Sequence, residues 1–377
     1  MTNWKVPLSK PDVTARDRQE VLKVLKTNFL SLGTKFVEFE KRIADFSGTK
    51  YAIAVNSGTS GLHLIIKALG IGQGDEVITT PFSFISSSNC ILYEGAKPVF
   101  VDIDENTLNI DPEKIEKKIT SKTKAILAVD VFGRPAEWDK ILEIAKKHSL
   151  SIIEDSAEAL GSELRGVRCG GFGDAAIFSF YPNKQITTGE GGIIITNNEK
   201  IADLCHSMAN QGRKVSGGKW LEHVRLGYNY RLDEMSCALG ISQLSRIKEV
   251  MKKREATVKM YNKKLKVMPE IETPTFESSK KISWFVYVVR IPEKLAAKRD
   301  WIISEMANVG IQCSNYFYPI HLQPLYMERF GTREGMFPVT ESVGRRTIAL
   351  PFFNNIKEKE IDFVVSNLKA IIKRIDA

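Results

Sequence analysis

Lys184 sits on a stretch that follows the apolar run "AAIFSF" and precedes the glycine-rich "TTGEGG". A lysine there is costly to bury and easy to expose, so its position suggests that the amine is used. Partly desolvated after a buried strand, such an amine loses basicity, and its neutral form can attack an aldehyde. The glycines permit a tight turn and close approach of a ligand. Two other places share the pattern of a polar group directly after an apolar run. In "YAIAVNSGTSGLHLIIKALG" a short run meets Gly58, Thr59 and Ser60 at the start of an apolar-periodic helix. Backbone N–H groups and hydroxyls at a helix start suit a phosphate. In "LSIIEDSAEALG" Glu154 and Asp155 end a run, and a carboxylate there can hold a protonated ring nitrogen. Each place also has a plainer alternative: an exposed loop lysine, a capped glycine turn, an aspartate capping the next turn.

An amine for an aldehyde, a cradle for a phosphate and an acid for a pyridinium nitrogen fit the three handles of pyridoxal 5'-phosphate. Phe84, in "TTPFSFISSSN", could stack on one face of a planar ring, and the small Ala157 leaves the other face open. Ordinary core packing is the alternative for Phe84.

These groups need strands that end at one edge of a sheet. Runs rich in β-branched residues recur with helical stretches between them: "DEVITT", "KPVFVDI", "KAILAVDVFG", "LSIIEDSA", "AAIFSFY" and "GGIIITN". Their lack of strict alternation predicts a mostly parallel, mixed sheet buried on both faces, and Asp111-Pro112 reads as a helix start. In an open α/β sheet, ligands bind at the carboxyl ends of the strands. From Asp233 to about Lys266 the chain has helical spacing with almost no breaker, long enough to leave one domain and enter another. We place a large α/β domain at 1–245 and a smaller α+β domain at 246–377. The second reads as strand "WFVYVVRI", helix "RDWIISEMANVG", strand "IQCSNYFYP", strand "RRTIALPF" and a last helix "EKEIDFVVSNLKAIIKRI".

A chain of 377 residues favours two domains, and 43% apolar with 26% charged residues is ordinary for a globular protein. The net charge of +9 comes from lysines interleaved with acids and apolar residues, as on solvated helix faces, which argues against a nucleic-acid partner. No window approaches a membrane span and the N-terminus lacks a signal-peptide pattern, so a cytoplasmic location is expected. The five cysteines are scattered without a CxxC pair, and the histidines never take HExxH spacing, so we expect reduced thiols and no metal.

The order and spacing of "VNSGTSGLHL", "PFSFISSSN", "GAKPVFVDIDENTLNIDP", "IIEDSAEALGSELRG", "GGFGDAAIFSFYPNKQITTGEGG", "NQGR" and "LGYNYRLDEMSCALG" resemble the DegT/DnrJ/EryC1/StrS family of sugar aminotransferases, of fold type I. The resemblance runs over nearly the whole chain. It implies an aspartate aminotransferase-like large domain, Lys184 as the lysine that carries the cofactor, and Asp155 as partner of the ring nitrogen. Thr59, Ser60 and Ser179 would bind the phosphate, Phe84 would stack on the ring, and Glu158 would lie near its phenolic oxygen. Asn229 would reach the cofactor phosphate of a neighbouring subunit, which implies a homodimer with shared active sites. Many relatives have Gln at the position of Glu158, and a charged carboxylate there would disfavour a phenolate. Tyr316, His321 and Arg231 are candidates for sugar contact; packing or dimer contacts are the alternatives.

The stretches "FYPNKQITTGEGG", "SWFVYVVRI" and "YFYPIHLQPLY" are most similar to the subgroup that aminates C4 of nucleotide-linked 4-keto-6-deoxy sugars, as in perosamine synthesis. The implied reaction takes the amino group from L-glutamate. The family's C3 dehydratases carry histidine in place of the lysine, which Lys184 does not match. A 3-keto sugar or keto-cyclitol substrate stays open. A lyase of the same fold would need a mobile cysteine, and only Cys169 sits among glycines. A cofactor-binding regulatory protein would be expected to carry a DNA-binding appendage, and no segment reads as one.

Overall fold

The computed structural model describes residues 4–215, 219 and 221–376. Twelve strands occur among them: β1 (Tyr51–Val55), β2 (Glu76–Thr79), β3 (Lys97–Phe100), β4 (Thr123–Val129), β5 (Ser151–Asp155), β6 (Glu163–Leu164), β7 (Val167–Arg168), β8 (Ala175–Ser179), β9 (Gly192–Thr196), β10 (Lys280–Lys281), β11 (Tyr287–Arg290) and β12 (Thr347–Leu350). Seven form one sheet in the order β1-β9-β8-β5-β4-β2-β3. Within it β9 alone runs against the other six. The apolar runs seen in the sequence are these strands. Ile53 and Val55 pack into the core on one face, while Ala52 and Ala54 pack into the core on the other. Burial on both faces explains why the runs do not alternate with polar residues.

Because six strands point the same way, the carboxyl ends of β1, β5 and β8 share one edge, where Ser57, Asp155 and Ser179 lie. A second core, built largely from residues beyond 246, gathers around Val258, Tyr261, Tyr287, Ile302, Leu350 and Leu368. Val6 belongs to it, bonded through its backbone to Gly310 and Gln312. The β11-β12 ladder forms the sheet of this part.

Two expectations change. The stretch read as continuous helix from Asp233 divides into Glu234–Leu244 and Ile247–Leu265. Ser245 Oγ donates back to the Ser242 carbonyl at 2.6 Å, a bond that competes with the helical ladder, and Arg246 turns to Asp17 at 3.0 Å. The stretch "IQCSNYFYP" forms only single bridges, Ile311 to Val6 and Ser314 to Ala349, because Tyr316 and Phe317 turn inward against Phe82, Phe132 and Phe285.

β1 is an edge strand, and its outward Ala54 N–H donates to Glu40 Oε1 at 2.8 Å. Burial pushes the Glu40 carboxyl up to about 8, and burial lowers His206, 3.9 Å away, so the pair is neutral rather than ionic. A carboxyl raised in the fold keeps its proton there after the unfolded chain has lost it, so this stability fades as pH rises from about 4.5 to about 8. Glu40→Gln keeps the acceptor and removes the titration. The variant should therefore melt above the parent at pH 8, by up to about 4 kcal/mol, with the gap closing toward pH 4.5 in calorimetry.

Candidate active site

A cavity of about 470 Å³ opens at the carboxyl edge of the sheet. Of the residues singled out in the sequence, Gly58, Thr59, Phe84, Asp155, Ala157, Glu158, Ser179, Lys184 and Tyr316 line it. Ser60, Asn229, Arg231 and His321 do not. Ser60 lies one step deeper, donating to Asn56 Oδ1 at 2.6 Å. Asn229 is exposed, and Arg231 bonds Asn210 Oδ1 at 2.9 Å. His321 is fully buried against Glu341, Nε2 to Oε1 3.0 Å, with its own carbonyl taking the Thr332 hydroxyl.

The lysine is held by its loop. Lys184 N–H donates to the Tyr181 carbonyl at 2.9 Å, and Thr188 N–H and the Thr187 hydroxyl both close on the Phe180 carbonyl. Its side chain is only 12% exposed, with Nζ 3.6 Å from Glu158 Oε1 and 3.9 Å from the centre of the Phe285 ring. Burial lowers its pKa, while Glu158 and Asp155 oppose that shift. Burial raises the Glu158 carboxyl, which also accepts Phe132 N–H at 2.8 Å. A proton can thus pass between amine and acid without changing the charge of the site.

Asp155 ends β5 and is buried. Its Oδ2 takes the Ser87 hydroxyl at 2.6 Å and its Oδ1 the Ala157 N–H at 3.2 Å. Burial nevertheless raises its pKa, against these hydrogen bonds and the attraction of Lys184, which acts from beyond ion-pair distance. A protonated ring nitrogen would supply a contacting cation. At the other end, Thr59 Oγ1 meets Ser86 Oγ at 2.7 Å, and a Cβ on Gly58 would stand 3.1 Å from that of Ser179. Hydroxyls, a helix start and a glycine that keeps the floor open fit a phosphate. The residues present fit pyridoxal phosphate at all three handles.

Gly192 keeps this cradle in place. A Cβ there would lie 2.7 Å from Gly58 N and from the Ser57 carbonyl group, so β9 abuts the helix start directly. Gly192→Ala should cost about 1–3 kcal/mol through overpacking. The same displacement should weaken binding of pyridoxal phosphate, read by thermal melting and by absorbance titration.

Behind Asp155, the donor atoms of Asp130, Glu154 and Cys169 lie within 4.8 Å of one another. Ser156 Oγ is 2.6 Å from Asp130 Oδ2 and 2.9 Å from Glu154 Oε1. One hydroxyl proton cannot serve both contacts, so one acid carries a proton as well. Asp130 also accepts from Ala136 N–H and Trp138 Nε1, Glu154 accepts from Gly170 and Phe172 N–H, and burial raises both carboxyls, Glu154 the more strongly. Hydrogen bonds account for this cluster.

Several lining residues were not singled out: Ser83, Ser86, Ser87, Asn183, Glu190, Phe285 and Phe317. The serines lie inside the quoted "PFSFISSSN", where their number was the available signal. Phe285 and Phe317 come from the chain beyond residue 246, Phe317 packing into the core of the large sheet and Phe285 into a small cluster with Val286 and Val288, and nothing local marks them.

The sequence profile of the DegT/DnrJ/EryC1/StrS aminotransferase family matches residues 11–369. The chain belongs to this family. Among relatives of this aminotransferase, the GDP-perosamine synthase of Caulobacter vibrioides is 38% identical over 98% of both chains. PseC of Helicobacter pylori, an aminotransferase involved in the biosynthesis of pseudoaminic acid, superposes with a TM-score of 0.91 at 31% identity, covering 97% of this chain and 98% of that one. The putative sugar aminotransferase Spr1654 of Streptococcus pneumoniae, in its PLP form, gives 0.92 at 27% identity, covering 98% and 99%. The protein is thus a sugar aminotransferase of fold type I, a PLP-dependent transaminase.

Proposed function

We propose that the protein transfers an amino group from L-glutamate to C4 of a nucleotide-linked 4-keto-6-deoxyhexose, with pyridoxal 5'-phosphate as its resident cofactor. The observation that carries this reading is one cavity lined at once by a desolvated lysine, a buried aspartate and a hydroxyl cradle. The relatives named as GDP-perosamine synthases support the sugar class.

Bound pyridoxal phosphate supplies an electron sink for the carbanion left when an amino acid loses its α-proton. Asp155 would hold the ring nitrogen protonated, and Thr59, Ser179 and the backbone at Gly58 would take the phosphate. Lys184 Nζ would be the base that moves the α-proton of the amino donor, and the same group would serve the sugar half in reverse. Glu158 takes the lysine's surplus proton, which leaves it neutral and removes a negative charge from beside the phenolic oxygen. Tyr316, its hydroxyl raised by burial and by Glu158, is a neutral donor facing the sugar. Phe285 and Phe317, both buried, keep water away from the reacting carbon, while Phe84 is exposed at the mouth.

Among the described residues, Lys184 is the one cation lining the cavity, against Asp155, Glu158 and Glu190. A phosphate and a dicarboxylate entering such a site need further positive charge and donors, which a second copy would bring along with Asn229. Phe29 is 70% exposed and Leu226 72%, apolar surface that a homodimer would cover. We assign the homodimer to the cytoplasm, where sugar nucleotides and glutamate are both at hand.

The test mixes the cofactor-loaded protein with L-glutamate, then with a panel of nucleotide-linked keto sugars. Loss of the visible absorption with release of 2-oxoglutarate, and its return only with 4-keto sugars, is the expected result. Return with a 3-keto sugar or a keto-cyclitol would replace the substrate assignment. A spectrum indifferent to glutamate would remove the amino donor.

A further inference from the structure

A buried guanidinium outside the cavity converges on the lysine loop. Arg254 lies on the helix Ile247–Leu265 and is 4% exposed. Its Nη1 donates to the carbonyls of Trp284 and Phe285, both at 3.0 Å, and its Nη2 donates to the carbonyl of Lys184 itself at 3.1 Å. No carboxylate among the described residues stands within ion-pair distance, Nε has no partner, and the face of Phe352 lies 5.3 Å away. Burial lowers the guanidinium's pKa to about 10, yet it stays charged at neutral pH. Asp12 attracts the guanidinium only from beyond ion-pair distance. A buried cation without a contacting anion is expensive, and an apolar side chain of that volume would make a more stable core. The arrangement calls for another reason.

The three carbonyls supply it. They belong to two segments that meet at the catalytic amine: Lys184, and the residues that present the Phe285 ring 3.9 Å from its Nζ. The planar fan of donors on one guanidinium can bind all three, whereas an ammonium on a flexible stem cannot hold that spread. The same two segments are joined again by Gln185, whose Nε2 reaches the Glu158 carbonyl at 2.5 Å and Ser283 Oγ at 2.8 Å. Phe285 N–H meets the Phe132 carbonyl at 3.3 Å, and Phe132 N–H meets Glu158. The backbone of the lysine, the ring over its amine and the acid beside it thus form one closed circuit. Arg254 is its member from the helix that follows the break at Ser245–Arg246.

We propose that Arg254 is a positioning residue that sets the desolvation of the Lys184 amine by fixing it against Phe285. The proposal rests on the reading of Lys184 as the reacting amine. Without the fan, the loop and the ring separate, water reaches Nζ, and the amine recovers basicity.

Arg254→Met and Arg254→Lys are compared with the parent as full-length, cofactor-free protein. Competitive acetylation across pH, resolved by peptide mass spectrometry, reads the midpoint at which Lys184 becomes reactive. Amide hydrogen exchange reads the segments 180–188 and 283–287. In folded variants the midpoint should rise by about half a unit or more, roughly a threefold loss of neutral amine, with faster exchange in both segments and a smaller change for the lysine variant. The visible absorption of the loaded variants should titrate at a shifted pH in step. An unchanged midpoint and unchanged exchange overturn the proposal. Should neither variant fold, Phe285→Leu must raise the same midpoint, and a parental value there overturns it equally. A parent protein that ignores glutamate would sink the transaminase reading and leave these midpoints intact, so the two failures are separable.

Discussion

Lys184→Ala should lower the glutamate half-reaction by about 10⁴-fold, the upper range for removing a positioned general base, and should abolish the visible absorption of the lysine-bound cofactor. The amine sits in a wall otherwise made of Phe285, Glu158 and Tyr316, and no other basic nitrogen among the described residues lines the cavity. Nothing nearby can replace it. Overall structure should survive, because the loop is held by its backbone: Lys184 N–H on Tyr181, Thr188 N–H on Phe180, and the Lys184 carbonyl on Arg254. The alanine variant keeps all three bonds. Its pyridoxal phosphate should still bind through the cradle and Asp155, seen as retained thermal stabilisation by the cofactor. A small primary amine in solution should restore part of the rate, with bulkier amines less effective, since the vacated space is that of one lysine side chain. A variant with parental turnover would remove Lys184 from the chemistry altogether. One that neither binds cofactor nor responds to added amine would point to a role for the lysine in holding the loop.

The strand ends were legible because burial on both faces writes each strand as an apolar run, and a run interrupted by an acid or a hydroxyl marks its edge. Asp155 and the hydroxyls of Thr59 and Ser60 were readable that way. Lys184 was readable because a lysine between an apolar run and glycines has few structural uses. What resisted reading was whatever depends on long-range packing. Phe285 and Phe317 reach the cavity from segments more than a hundred residues beyond Lys184, and Arg254 is one basic residue among many on its helix. His321 shows the same limit from the other side. A histidine in an aromatic stretch is equally suited to a substrate or to a buried acid, and the fold gives it Glu341. The break at Ser245–Arg246 was invisible because serine and arginine both tolerate a helix. It arises from Asp17, more than two hundred residues earlier, which takes up Ser242, Gln243 and Arg246 together.

Asp155→Asn separates function from stability most sharply. The asparagine has the same shape, and its carbonyl oxygen can keep the Ala157 N–H. Its amide would face Ser87, whose hydroxyl can turn to accept because Ser83 Oγ, 2.8 Å away, can take the proton in exchange. The fold therefore has a way to absorb the change. The charge has no substitute: a neutral amide cannot hold a ring nitrogen protonated, and the half-reaction should fall by about 10²–10³-fold, the range for losing one preorganised electrostatic contact. Stability of the cofactor-free protein should move the other way. Burial raises the Asp155 carboxyl in the fold, so the folded state holds its proton after the unfolded chain has released it. That contribution is complete at acid pH and is lost as pH climbs through the unfolded value toward the folded one. The asparagine variant lacks the titration, so without cofactor it should match the parent near pH 4 and melt above it at pH 7. Adding pyridoxal phosphate should reverse the order, since only the parent gains an ion pair with the ring. Melting curves at the two pH values, with and without cofactor, give four numbers, and a parent more stable than the variant in the cofactor-free state at pH 7 would show that Asp155 is satisfied by its own neighbours and is not waiting for a cation.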